Sequence, residues 1–414
     1  MTLLRIELVT IGDELLLGYT IDSNAAYIAR TLAEIGVQVV RRATVGDDVD
    51  AIAAALRDAL DRTGAVITTG GLGPTADDRT RTAIASVFGR ILRRDDVLVA
   101  RMEERFRALG RPMPPNNVVQ AMVPEGARVL QNRHGTAPGL WLEDARGRWV
   151  AVLPGVPREM RGMVNDTLLP ILRERAGADG AVVLSRTLRT TGIGESALAE
   201  LLGPDGGDTV DGVPLAYLPG WAGVDLRLTV RGLPHDQATH TLDHAAAKLY
   251  ARAGRYIYGE GDADLADVVL ALCRARGLHI ATAESCTGGM LGARITAIPG
   301  SSDVYVGGVV AYDNRIKEQL LDVPAELLRT EGAVSEAVAK RMASGVCARL
   351  GTEIGVAITG IAGPGGGTPE KPVGTVWTAV HVDGAAHAVG RRYVGDREEI
   401  RQRSAQAALD MIRR

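Results

Sequence analysis

Cysteine is scarce in this 414-residue chain: Cys273, Cys286 and Cys347 are its three, and no two stand in CxxC spacing. That spacing argues against a disulfide framework or a zinc ribbon. Aromatic residues amount to 4% of the sequence, whereas apolar residues reach 46% through Ala, Val and Leu. That balance suits helices packed on β-branched strands rather than a disordered chain. A dominant charge is also missing, since 47 basic and 50 acidic residues are mixed along the chain for a net −3. Without a basic field to neutralise a phosphate backbone, nucleic acid is an improbable partner. No apolar run approaches the ~20 residues that span a bilayer. Nor does a charged leader with an apolar core and a cleavage site open the sequence. These absences predict a soluble, cytoplasmic protein without a membrane partner.

What is present is alternation. The length exceeds what one hydrophobic core usually supports, so several domains are expected. A strand at 3–11, a helix at 24–35 closed by Gly36, a strand at 37–42, a helix at 49–62 closed by Gly64 and a strand at 66–69 form a βαβαβ opening. This order predicts a parallel sheet with right-handed crossovers and a ligand site beyond the carboxyl ends of its strands. A further strand at 149–153 precedes a helical stretch to about Arg175. The turn-rich Ala176–Gly180 marks a first boundary, and Tyr258–Asp262 a second linker. Between them, strands at 182–190, 214–218 and 224–230 and a helix at 237–252 read as a small α+β unit. The remainder alternates again, with strands at 278–283, 304–312, 354–359, 374–382 and 386–393. The expected division is therefore 1–176, 177–258 and 259–414, with two doubly wound α/β domains joined by the small α+β domain.

The strand ending at Thr69 runs into Gly70-Gly71-Leu72-Gly73-Pro74-Thr75-Ala76-Asp77-Asp78-Arg79-Thr80 and then a helix. Glycines allow backbone N–H groups to approach a phosphate, and a helix N-terminus adds partial positive charge. A tight turn capped by Asp77 or Asp78 would read the same way. Two further loops, Ile11–Leu16 and Leu153–Met160 with Gly155, fall at neighbouring strand ends. Carboxylates beside an anion cradle suit a hydrated divalent metal, magnesium or similar, bound to a diphosphate. Asp13, Glu14, Asp77 and Asp78 are its candidate ligands, the alternative for the first three being caps or surface acids.

Gly70-Gly71-Leu72-Gly73 with Asp78 and Thr80 matches the GGxGxxxxDxT pattern of the molybdopterin-binding (MoaB/Mog-like) fold. With Ile11–Leu16, Asn132–Gly139 and Leu153–Met160, the first 175 residues resemble the N-terminal domain of the CinA family. The resemblance implies metal-dependent hydrolysis of ADP-ribose to AMP and ribose 5-phosphate, with Gly71, Gly73, Asp78, Thr80 and Gly155 at the substrate. Pterin-nucleotide binding is the alternative for this domain. The middle unit resembles the family's KH-like segment, yet Thr190-Thr191-Gly192-Ile193-Gly194-Glu195 lacks a GxxG loop with basic flanks. A spacer or dimerisation element, and hence a homodimer, is the expectation.

Four loops carry chemistry near the C-terminus. Ala283-Glu284-Ser285-Cys286-Thr287-Gly288-Gly289 turns from strand to helix. Pro299-Gly300-Ser301-Ser302-Asp303 places two serines before a strand. Lys317 lies in the first turn of the next helix, where a cation opposes the dipole. Thr359–Gly367 is rich in backbone donors, and Arg397 stands at a helix start, able to fork a phosphate. Together they offer nucleophiles, a base and phosphate donors without a metal-ligand set, a combination that fits amide hydrolysis through a covalent intermediate and needs no cofactor.

Thr282–Gly289, Gly332–Ser335, Thr359–Gly363 and Lys371–Trp377 resemble the CinA C-terminal domain, also known alone as nicotinamide-nucleotide amidohydrolase. The resemblance implies deamidation of nicotinamide mononucleotide to nicotinic acid mononucleotide and ammonia. It places Ser302, Lys317 and Tyr312 at catalytic positions, with Ser302 as nucleophile and Lys317 as base. Ser285, Thr287, Gly288, Gly360, Gly363 and Arg397 fall at the substrate. The rival expectation is an accessory protein of competence and DNA damage, acting through protein partners and associated with RecA.

Overall fold

The computed structural model describes residues 4–176, 181–203 and 207–414. These fall into two compact units: one runs to residue 184 and adds 230–240, the other holds 185–229 and 241–414. No helix among the described residues is long and apolar enough to cross a membrane.

The first unit opens with β1 (Leu4–Ile11), α1 (Asp13–Leu16), α2 (Ser23–Ala33), β2 (Val37–Val45), α3 (Val49–Thr63), β3 (Ala65–Thr69) and α4 (Thr80–Phe88). It continues through β4 (Leu92–Arg94), α5 (Asp96–Ala108), β5 (Met122–Pro124), β6 (Arg128–Leu130), β7 (Gly139–Glu143), β8 (Trp149–Leu153), α6 (Pro157–Met163) and α7 (Leu169–Ala176). The boundaries follow from end chemistry. Asp48 accepts the amides of Asp50 and Ala51 at the start of α3, and Gly64, with φ 72°, closes it in the left-handed conformation. The six-stranded sheet runs β2-β1-β3-β8-β7-β6. Its first four strands are parallel, but β7 runs antiparallel to β8 and β6 antiparallel to β7, so the parallel expectation is corrected at that edge. Val9, Val66 and Val152 face Leu56 and Ile84 on one side, while Ile6, Ile67 and Leu153 face Ile28 and Met160 on the other. Both faces are covered, as a doubly wound unit requires.

A second sheet, ordered β10-β11-β12-β9-β13, is formed by β9 (Val182–Thr190), β10 (Thr209–Val210), β11 (Val213–Pro219), β12 (Val224–Leu233) and β13 (Ile257–Glu260), with α8 (Glu195–Leu202) and α9 (His235–Ala253). The turn-rich boundary expected after Ala176 lies at 177–180, outside the described residues. The expected linker at Tyr258 is instead strand β13, paired with β9.

The C-terminal part adds α10 (Leu265–Arg276), β14 (Ile280–Glu284), α11 (Met290–Thr296), β15 (Tyr305–Val310), α12 (Asn314–Leu321), α13 (Ala325–Thr330), α14 (Glu336–Leu350), β16 (Ile354–Gly360), β17 (Thr375–Val382), β18 (Ala385–Arg392) and α15 (Arg397–Arg413). Its sheet is β15-β14-β16-β17-β18, with β15, β14 and β16 parallel and the last two strands antiparallel. Large side chains of α10, α11 and α15 pack on Ile280, Val356 and Ile358. The opposite face is built from Ala281, Ala283, Ala357 and Ala379, against α12 and α14. Small residues bring α14 close to the sheet: a Cβ on Gly355 would lie 2.1 Å from the Ala343 carbonyl oxygen and 2.7 Å from Cys347 Sγ. Gly355→Ala is therefore expected to destabilise the chain by about 2 kcal/mol through overpacking. Urea unfolding measures this, and an unchanged midpoint would contradict the close approach.

Candidate functional sites

In the first unit β1, β3 and β8 are adjacent and parallel, so the loops after them share one rim, as expected. Gly70 N donates to Leu153 O at 3.1 Å, and Gly155 stacks within 3.3 Å of Gly70 Cα once a Cβ is imagined on it. The loops enclose a cavity of about 330 Å³ lined by Glu14, Asn24, Gly70, Gly71, Gly73, Asp78 and Gly155, among others. Gly70 and Gly71 have φ of 113° and 64°, and a Cβ on Gly70 would meet Ile11 O at 2.1 Å. Only glycine fits there.

Asp78 and Thr80 hold the loop. Asp78 accepts from Gly73 N at 2.6 Å, Thr75 N at 2.8 Å and Thr75 Oγ1 at 2.5 Å. With both oxygens so engaged, Asp78 acts as the loop's anchor. Thr80 is fully buried and donates its hydroxyl to Gly70 O at 3.0 Å, so it braces the loop from behind rather than lining the cavity. The sequence reading missed Arg81 and Asn24. Arg81 is buried, donates to the carbonyls of Leu72 and Gly73, and is pushed down to about 10 by burial, against the opposing charge of Asp78. It remains a cation at neutral pH, directly beneath the cradle. Asn24 donates to Thr69 Oγ1 and Gly155 O while its own Oδ1 is buried without a partner.

Among the described residues no group of three or more His, Cys, Asp or Glu side chains is set to hold a metal. Asp13, Glu14 and Asp77 are exposed. Asp13 Oδ1 accepts from Asp47 N, and Asp47 Oδ2 accepts from Asp13 N. Burial lifts Asp47 above the usual carboxylate range, and repulsion from Asp13, Glu14 and Asp77 adds to this. The acids thus feel one another, with Asp47 as a member the sequence reading did not nominate. They form a negative rim rather than a closed cage. Such a rim suits magnesium, which keeps most of its ligands as water and phosphate oxygen.

In the second unit, the ends of β14, β15 and β16 bring together Ser285, Tyr312, Lys317 and the Gly360–Gly363 loop. Ala311 N donates to Glu284 O at 2.8 Å, and Ser285 N to Ile358 O at 2.9 Å. Lys317 is 1% exposed, and its Nζ donates to Ala311 O at 2.7 Å and Tyr312 O at 3.4 Å. Burial pulls its pKa down, against the attraction of Asp313, which caps its helix, and of Cys286. Arg397 donates to Gly363 O at 2.5 Å and to the Tyr312 hydroxyl at 3.0 Å, tying two loops together. Gly360 tolerates no side chain, because a Cβ would lie 2.6 Å from Val376 Cγ2. Gly288, with φ 61°, shapes the turn after Ser285. Thr287 gives its carbonyl to Arg401 at 2.8 Å, and its buried Oγ1 has no partner.

Burial pushes the Cys286 thiol up to about 11, which removes it as a nucleophile. Glu284 is 1% exposed and accepts from the amides of Gly289, Leu291 and Gly292, so its charge is spent on the start of α11. Ser302 is not at this rim. It lies in a short turn before β15, which is held to α10 by Arg274 donating to Gly300 O at 2.9 Å and pairing with Asp303. Lys317 follows the other end of that strand, about 20 Å away at the rise of an extended chain. Within this chain the expected Ser302–Lys317 pair does not form, and Ser285 is the serine that shares the rim with Lys317.

Comparison with known proteins finds three family models along the chain. Residues 7–174 match the probable molybdopterin binding domain, 185–259 the damage-inducible protein CinA KH domain and 262–414 the CinA C-terminal domain. A CinA-like protein of Gemmatimonas aurantiaca is 62% identical over 410 residues, covering 99% of this chain and 96% of its own length. The chain belongs to the CinA family. A CinA-like protein of Salinibacter ruber is 45% identical over 411 residues, covering 99% of each chain. Among solved structures, the competence/damage inducible protein CihA of Agrobacterium tumefaciens is 44% identical and covers 36% of this chain and 90% of its own, with a TM-score of 0.35.

The loop geometry generates a test. Asp78→Asn leaves one of the two anchored amides without its acceptor, so stability should fall by about 1–2 kcal/mol. Proteolysis within Gly70–Thr80 should accelerate in parallel. Unchanged unfolding and unchanged cleavage would show that Asp78 does not anchor the loop.

Proposed function

We propose that this CinA-family chain hydrolyses the carboxamide of nicotinamide mononucleotide at the rim of the second unit. The observation that carries the reading is Lys317, buried, lowered in pKa, at the same rim as Ser285 and, among the described residues, without a hydrogen-bonded carboxylate. Perturbed titratable groups of this kind gather at catalytic sites. As a neutral amine, Lys317 donates two N–H bonds to Ala311 O and Tyr312 O and keeps its lone pair for a third direction. In the proposed reaction Ser285 Oγ attacks the carboxamide carbon as its proton passes to Lys317 Nζ. The amides of Cys286 and Thr287, which make no backbone hydrogen bond among the described residues, are the donors for the developing oxyanion. The C–N bond then breaks, ammonia leaves with the proton from Lys317, and water, activated by the same amine, releases nicotinic acid mononucleotide and restores the serine. Arg397 and the Gly360–Gly363 loop supply the donors for the substrate phosphate.

For the first unit we propose binding and cleavage of ADP-ribose at the Gly70–Gly73 cradle. The cradle amides receive the diphosphate, with the buried Arg81 behind them as a fixed positive charge, and Asn24 Oδ1 and Asp22 are acceptors for ribose hydroxyls. A divalent ion, when bound, would neutralise diphosphate charge. Glu14 and the neighbouring Asp13 would hold it.

Ammonia release from nicotinamide mononucleotide by the full chain tests the main reading. Because a base must be deprotonated, kcat/KM should fall as pH drops through the Lys317 pKa, which burial sets below the ordinary lysine value. Lys317→Arg, which keeps the charge and removes the base, should lower kcat by roughly 100- to 10,000-fold. A Lys317→Arg enzyme of near-normal kcat, or a rate that climbs as pH falls, would refute the role.

A further inference from the structure

A cavity of about 400 Å³ lies within the second unit, where the loop leading into α8 and the β11–β12 turn meet β18 and α15. It shares no lining residue with the Ser285–Lys317–Arg397 rim. Two of its polar atoms are orphaned: the Tyr393 hydroxyl and Arg403 Nε are buried and have no hydrogen-bond partner. Buried polar groups are ordinarily paired, and unpaired donors on two residues that line one cavity call for an acceptor. Burial raises the Tyr393 pKa, so the phenol remains a donor, and the guanidinium of Arg391 stands beside it. Two arginines and a phenol thus belong to the lining of one cavity.

The rest of the wall has a different chemistry. Trp221 lines the cavity and is 40% exposed, and Arg294 lies 5.2 Å from its ring centroid, which leaves the indole as a supported plane. The turn that carries it is fixed by Thr191, which donates to Ala222 O at 2.9 Å and accepts from Gln406 at 3.2 Å. Glu195, the one acid among the lining residues, would repel a bare anion but accepts the hydroxyls of a ribose. Two arginines and a phenol for a phosphate, a glutamate for a diol and an indole for a planar ring match one ligand class, and the volume suits it. From this arrangement we infer that the cavity is a mononucleotide-binding site, distinct from both sites described above.

The experiment uses the full chain labelled with 5-fluorotryptophan, so that the fluorine resonance of Trp221, assigned from Trp221→Phe, reports on this cavity alone. AMP should shift that resonance saturably, whereas adenosine and inorganic phosphate should each need at least ten-fold higher concentration. Arg403→Gln should weaken the AMP response at least ten-fold with an unchanged thermal midpoint, and Arg391→Gln, on the edge strand β18, gives an independent second case. A Trp221 resonance that AMP does not move, or that moves equally in a folded Arg403→Gln or Arg391→Gln chain, overturns the assignment.

Discussion

Burying an ammonium at a sheet rim is costly unless the group loses its proton or finds strong acceptors. Among the described residues Lys317 finds the carbonyl oxygens of Ala311 and Tyr312 as its acceptors. Those carbonyls are available because β15 ends at Val310 and the chain then leaves the sheet, held by the Ala311–Glu284 bond. The same bond fixes Ser285 one residue beyond β14. Asp313 caps α12 and turns its first residues back over the rim, which carries Lys317 inward. The lowered basicity of Lys317, the position of Ser285 and the Arg397 bridge from Tyr312 to Gly363 are consequences of one arrangement of three parallel strand ends.

The two α/β units use that arrangement differently. In the first, the charged groups nearest the glycine loop are spent on its backbone: Asp78 accepts its amides, Arg81 binds its carbonyls and Thr80 braces Gly70. What faces the cavity is therefore backbone, a buried positive charge behind it and a rim of mutually repelling acids. In the second, Glu284 is the group consumed by local backbone, while Ser285 and Lys317 share the rim.

Most elements were legible because their ends carry strong local signals. Gly64 and Gly277 in the left-handed conformation, Asp48 and Asp264 as caps and the Asp396–Glu399 capping box all mark helix ends in the sequence. The antiparallel edges β6–β7 and β17–β18 were not legible, since alternation of strands and helices says nothing about strand direction at an edge. Strand β13 was hidden because Gly259 and Gly261 read as a linker. The convergence of loops on each rim followed from parallel order alone. The misplacement of Ser302 has a clear cause: a loop before a strand and a loop after it look equally strand-terminal in sequence, yet they lie at opposite ends of the sheet. Arg81 and Asn24 carried no signal, because an arginine or asparagine in a first helical turn is ordinarily solvated, and only the fold buries Arg81 and turns Asn24 onto Thr69 and Gly155.

The central claim is that the serine after β14, and not the one before β15, works with Lys317. Steady-state ammonia release from nicotinamide mononucleotide by Ser285→Ala and Ser302→Ala, each in the full chain and each shown to be folded, tests it most directly. The account predicts that Ser285→Ala loses kcat by orders of magnitude while Ser302→Ala stays within about two-fold of the unmodified chain. A Ser285→Ala chain that keeps its kcat while Ser302→Ala loses it would contradict the account.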